Sequence, residues 1–145
     1  MAQPLQIGAH LTSPRRGYVH HGISAGNGRV IHYSGFARAL RRGPVEEVPL
    51  ERFTRGRALQ VRVHATPKFD GSAAVDRART RLGEDRYRFW SNNCEHFVEW
   101  CIAGTSRSPQ VEAWRTRLGR SWRALGAPLS LLARPAETML ATRQR

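Results

Sequence analysis

A cysteine stands in this chain where a helix should begin, which makes it the leading candidate for nucleophilic chemistry. In Asn92-Asn93-Cys94-Glu95-His96-Phe97-Val98-Glu99-Trp100-Cys101, the small polar residues Ser91, Asn92 and Asn93 are natural N-caps. Phe97 to Ile102 reads as helix, stopped by Gly104. Cys94 falls in the first turn. Free backbone N–H groups and the positive dipole end there favour a thiolate, so the thiol pKa is expected below the free value of about 8.5. The same N–H groups could hold an oxyanion. Without its surroundings, Cys94 would read equally well as a small buried apolar side chain.

A nucleophilic thiol needs a base, and two of the six histidines stand out by spacing. His20 and His32 flank Gly22 to Ile31, a segment that reads as strand, tight turn and strand with Asn27-Gly28 at the tip. A two-residue loop sets His32 opposite Ile23 and leaves His20 on the other face. A three-residue loop with Gly28 left-handed sets His32 opposite Gly22, on the face of His20. The second register is expected, because it gathers one cluster and leaves room beside an imidazole. Ile31 and Tyr33 then point to the reverse face.

The remaining candidates have structural readings. Cys101 lies two helical turns, about 10.5 Å, beyond Cys94, too far for a disulfide within one helix, and reads as core. His96 reads as a buried, hydrogen-bonded histidine. His21 alternates with His20 and should face away, while His10 and His64 read as ordinary strand or loop residues. No metal is expected: there is no Cys-x2-Cys or His-Glu-x-x-His pattern. Gly26-Asn27-Gly28 lacks the lysine and helix of a phosphate-binding loop, so no nucleotide or other cofactor is expected either.

Three blocks resemble the lecithin retinol acyltransferase family. They are Gly17-Tyr18-Val19-His20-His21-Gly22, Gly26-Asn27-Gly28-Arg29-Val30-Ile31-His32-Tyr33-Ser34-Gly35, and Asn93-Cys94-Glu95-His96-Phe97 with Trp100-Cys101. Their order and spacing match the family. Ala73 to Gly83 resembles its segment before the cysteine, and Ser108-Pro109-Gln110-Val111 its ending, so the likeness runs from Gly8 to Val111. Ala9 departs from the acidic residue that relatives commonly carry.

The resemblance implies an α+β fold, a circularly permuted relative of papain-like NlpC-type peptidases, with an antiparallel sheet packed against helices. It implies Cys94 as nucleophile, His20 as general base and His32 as the third polar member that orients His20. Family members take an acyl chain from a phospholipid as a cysteine thioester and pass it to water, an amine or an alcohol. The division of labour also suits the chemistry, which needs one base to take and return a proton and a partner to hold its tautomer.

With 145 residues the chain is expected to form one main domain, residues 5–111, followed by a basic tail over residues 112–145. At that size about 68 to 70% of the unfolded surface can be buried, enough for a core without disulfides. Two cysteines with no plausible pairing fit a reducing compartment. With no secretory leader or apolar span in view, the expectation is a cytoplasmic protein, soluble or peripheral on a membrane.

The tail differs in charge. From Thr105 onward there are eight arginines and two glutamates, against 16 basic and nine acidic residues before it. Val111, Trp114, Leu118, Trp122 and Leu125 form a narrow helical stripe, with Arg117, Arg120 and Arg123 on the far side and Pro128 as the break. Such a helix either docks on the domain with its arginines solvated or lies in a membrane interface, with Trp114 and Trp122 among headgroups. The net charge of +13 admits salt-sensitive nucleic-acid binding, but no nucleic-acid motif accompanies it, so no specific nucleic acid is expected.

Strands are expected at Leu5 to Ile7, Val19 to Ala25, Arg29 to Tyr33 and Ala58 to His64, with a short one at Tyr87 to Trp90. Helices are expected at Ala73 to Leu82 and Cys94 to Ile102. Arg38 to Pro49 carries Arg41-Arg42-Gly43-Pro44 without clear periodicity and reads as a loop over the site entrance. Three functions follow: a phospholipid-dependent thiol acyltransferase or phospholipase A; a thiol amidase or peptidase of papain-like type; or a basic membrane or nucleic-acid binding module with a vestigial site.

Overall fold

The computed structural model describes residues 4–38, 41–88 and 92–126. It divides into two compact units, Met1–Gln110 and Val111–Arg145. The first is an α+β unit. Its elements are β1 (His10–Arg15), β2 (Tyr18–Gly26), β3 (Arg29–Arg38), β4 (Arg41–Pro49), α1 (Leu50–Thr54), β5 (Gln60–Arg62), α2 (Gly71–Arg79) and α3 (Cys94–Ala103). The strands form one antiparallel sheet ordered β4-β3-β2-β1-β5. The helix α4 (Pro109–Gly126) belongs mostly to the second unit.

Alternation along the central strands supplies two apolar layers. Ile23, Ile31, Tyr33 and Val45 are buried with Ala74, Val75 and Ala78 of α2 and with Phe97, Val98, Cys101 and Ile102 of α3. Leu11, Val30 and Val48 of the opposite face are covered by Phe53 of α1. Arg15 ties that short helix down, its guanidinium donating to the carbonyls of Phe53 and Thr54.

The β2–β3 hairpin has the expected register, Gly22 opposite His32, reached by another device. Gly26 pairs with Arg29, so the loop is the two residues Asn27 (φ 50) and Gly28 (φ 68), both left-handed. A bulge between Ser24 and Gly26 then restores the register that a three-residue loop would have set. The room beside Gly22 is used by α1. A Cβ there would lie 2.6 Å from Val30 Cγ1 and 2.8 Å from Phe53 Cε2. Gly22→Ala is therefore expected to cost about 1–3 kcal/mol through overpacking, measured as a lowered urea midpoint. An unchanged midpoint would show that α1 yields freely.

Several boundaries differ from expectation. Leu5 to Ile7 is not a strand; pairing with β2 starts at Gly8 and Ala9, and Ile7 is exposed. The first strand begins at His10, buried through polar rather than apolar contacts, so hydrophobic alternation does not announce it. Within the stretch Arg38 to Pro49, expected to be a loop, the described residues are strand, and residues 39–40 lie outside the described set. There β4 pairs along β3, a partnership invisible to local periodicity. Ala58 to His64 shortens to β5, an edge strand with Val61 and Val63 exposed. Tyr87 is outside any strand, Arg88 and Asn92 form an isolated bridge, and residues 89–91 lie outside the described set. The helix expected at Ala73 to Leu82 runs Gly71–Arg79.

Candidate active site

The helix α3 starts at Cys94, and Asn93 caps it. The Asn93 Oδ1 accepts from the backbone N–H of Glu95 and of His96, each at 3.0 Å, and the Asn93 carbonyl accepts from Phe97. His96, expected to be buried and bonded, closes the cap with Nδ1 at 2.8 Å from Asn93 Oδ1. The cap thus takes most first-turn donors and leaves the N–H of Cys94 itself for a developing anion.

The sulfur sits in a gap of the sheet. The β2–β3 ladder ends at Gly22–His32, and beyond it, among the described residues, β2 pairs with β1 alone. Ser24 exchanges its hydrogen bonds with Gly8 and Ala9, so the even-numbered residues of β2 turn their backbone groups toward β1 and the odd ones toward β3. Val19 and His21 therefore present a carbonyl and an N–H to the gap. The Cys94 thiol donates to the Val19 carbonyl at 4.0 Å, and the His21 N–H faces the sulfur. The thiol engages the backbone on both sides of His20 without bonding its ring.

On the opposite face of β2, His20 and His32 are brought together. His20 Nε2 lies 2.9 Å from His32 Nδ1, so one ring donates to the other. Both rings pack on Phe53, His20 stacked at 5.2 Å between centroids and His32 edge-on at 5.6 Å. Among the described residues His20 Nδ1 has no hydrogen-bond partner, and it is the nitrogen left for a reacting group. The lining of this cleft is Arg15, Tyr18, His20, His32, Ser34, Glu46, Arg52, Phe53 and Arg55.

The sequence reading missed Glu46. It faces His32 directly across β3–β4, with Oε1 at 3.5 Å from His32 Nε2, and Arg52 lies 3.6 Å from its other oxygen. His32 Nε2 is buried without a hydrogen bond in good geometry, so the contact is a close approach rather than a closed bond. The contact with His32 also holds the Glu46 carboxyl below its usual range, against the opposing effect of partial burial. Val45-Glu46-Glu47-Val48 has no period-2 alternation and Gly43-Pro44 precedes it, so local sequence did not mark the strand that carries Glu46.

The electrostatics correct one expectation. Burial pushes the Cys94 thiol up to about 11, and the surrounding N–H groups of His21, Glu95 and Cys94 only partly oppose it. Burial, then the neighbouring His32, also holds His20 well below the ordinary imidazole value. The resting pair is thus neutral thiol and neutral imidazole, because desolvation at a buried helix terminus outweighs the dipole. Burial likewise raises the phenols of Tyr18 and Tyr87, with Cys94 contributing to both.

Cys101 is buried and unpaired, as expected of a core residue. His21 faces away from His20, as expected, but it joins His10 and His64 in a second set of contacts on the α3 face of the sheet.

The family model described as lecithin retinol acyltransferase matches residues 3–107. The chain belongs to the lecithin retinol acyltransferase family. The match takes in both histidine strands, the Asn93 cap and Cys94. No curated protein matches the chain. Membership of the lecithin retinol acyltransferase family points to acyltransferase or phospholipase-like activity and to an enzyme of the thiol acyltransferase type. As the family's α+β domain, the unit carries a five-stranded antiparallel sheet with helices. No helix among the described residues is long and apolar enough to cross a membrane.

Proposed function

We propose that this protein is a cysteine-dependent acyltransferase or phospholipase A that draws an acyl chain from a phospholipid onto Cys94 as a thioester. The observation that carries the reading is the Cys94 sulfur resting on the β2 backbone at either side of His20, with His32 holding that histidine's Nε2. We read the fold as a permuted papain-like NlpC-type arrangement, since both histidine strands precede the cysteine helix.

The reaction begins when the thiol turns from the Val19 carbonyl to His20 Nδ1. As Sγ attacks the ester carbonyl carbon, His20 takes the proton, and the Cys94 N–H supports the oxyanion. Collapse breaks the ester C–O bond, and His20 returns the proton to the departing lysophospholipid oxygen. Water, an amine or an alcohol then gives a proton to His20 and attacks the thioester, releasing Cys94. Arg52 and Arg55 at the cleft suit a lipid phosphodiester. In α4, the exposed Arg115, Arg117 and Arg120, together with Trp114, suit a peripheral membrane contact that brings the thiol to its substrate. The same reading extends to Trp122, whose side chain lies outside the described set.

The test is acid-quenched intact mass spectrometry after mixing with phosphatidylcholine and phosphatidylglycerol vesicles. An acyl adduct on Cys94, absent in Cys94→Ala and His20→Ala, is expected. Absence of both adduct and lysolipid would favour the amidase or binding alternatives.

Glu46 acts as a positioning residue, its charge stabilising the imidazolium that forms on the His20–His32 pair. Glu46→Gln is expected to lower kcat about tenfold, equivalent to ~1.4 kcal/mol of barrier, with KM little changed. Steady-state lysolipid release checks this; equal kcat values would remove Glu46 from the mechanism.

A further inference from the structure

On the face of the sheet away from His20 and His32, three imidazoles stand in a row. His64 Nε2 lies 2.7 Å from His10 Nδ1, and His10 Nε2 lies 2.8 Å from His21 Nδ1. The row ends at Glu95 Oε1, 3.9 Å from His21 Nε2. Glu95 is buried and accepts from Arg62 at 3.1 Å, from the Gln110 N–H at 3.1 Å and from the Ser108 hydroxyl. Glu95 therefore remains an acceptor. His21 then donates toward Glu95, and His10 donates through Nε2 to His21. The lone pair of His10 Nδ1 is left aimed at His64.

One further group points there. A carboxylate oxygen of Glu99, one turn beyond Glu95 on α3, and one ring nitrogen each of His10 and His64 all lie within 4.8 Å of one another. Glu99 is half-buried and has no hydrogen bond or ion pair among the described residues. A cleft lined by Ala9, His10, Val63, His64, Phe69 and Asp70 opens on the place. Two imidazoles and one carboxylate form a ligand set suited to a divalent transition ion of borderline softness.

We propose that His10 Nδ1, His64 Nε2 and Glu99 bind such an ion, of the Zn2+ class, with solvent in the remaining position. Binding shifts neutral His64 to its other tautomer, the Nε2 proton passing to solvent as Nδ1 takes one up, and the two nitrogens move apart to about 3.3 Å, as two bonds of about 2.05 Å in a tetrahedral site require. Half-buried His64 can make that adjustment. His10 is fixed by His21, and the His10–His21–Glu95 chain supplies the outer-shell acceptor that holds a ligating imidazole in its tautomer. The ligands are 54 and 35 residues apart along the chain, which is why no metal spacing marks them.

Tag-free full-length protein is stripped with chelator and dialysed against Zn2+, then separately against Co2+. A single retained equivalent is expected, with visible Co2+ absorption lacking a thiolate charge-transfer band. His64→Ala and Glu99→Gln should each weaken binding by about tenfold or more, while Cys94→Ser leaves it unchanged. Unaltered binding in both ligand variants, a thiolate band lost in Cys94→Ser, or no retained metal in the wild type would overturn the site.

Discussion

Cys94→Ala is expected to reduce lipid turnover by at least about 10^3-fold, since removing a nucleophile leaves only binding and oxyanion stabilisation. The loss should be in kcat, without loss of the fold. The Asn93 cap uses backbone groups that alanine retains, and Phe97, Val98 and Cys101 anchor the rest of α3. Circular dichroism and the urea midpoint check the fold, and lysolipid release checks the chemistry. Turnover persisting in Cys94→Ala with an intact fold would exclude a thioester route through this residue. Because the resting thiol is held near 11 by burial, the wild-type protein should also react with iodoacetamide more slowly than a free thiol. A faster reaction would mean that the thiolate forms before substrate arrives.

The second large effect concerns acid. His20, His21 and His10 all have folded-state pKa values below the ordinary 6.5, with His21 at about 4 and His10 at about 2, burial being the leading cause for each. The unfolded chain therefore binds protons that the native chain refuses. The neutral-pH stability is complete above 6.5 and is lost as pH falls below it, through about 4 for His21 and lower for His10. While an imidazole stays neutral in the native state and charged in the unfolded one, it costs about 1.4 kcal/mol per pH unit. Three acting together would unfold a domain of ordinary stability of about 5–15 kcal/mol within a few units below 6.5. Urea titrations in chelator at pH 7.5, 6 and 5 should show the midpoint dropping steeply. A flat profile would mean that these rings take up protons without unfolding.

The sequence was most legible where chemistry and local structure coincide. Asn93 before Cys94 and Gly104 after Ala103 are cap residues, and α3 begins and ends on them. The faces of His20 and His32 followed from strand alternation once a register was chosen, although that register arises from a bulge rather than from loop length. Partners distant in the chain were not legible. Glu46 opposes His32 only because β4 pairs with β3, and Gly43-Pro44 hid the strand that carries it.

The sequence by itself determined the family, the cysteine at a capped helix start and a pair of histidines on one face of a hairpin. Those features depend on residue type and short spacing, which local sterics and backbone hydrogen bonding translate directly. The tertiary structure alone decided that the thiol is protonated at rest and that its sulfur fills the gap where β2 and β3 part. It alone joined His10, His64 and Glu99. Burial and cross-strand contact set these outcomes, and both depend on residues far apart in the chain packing together.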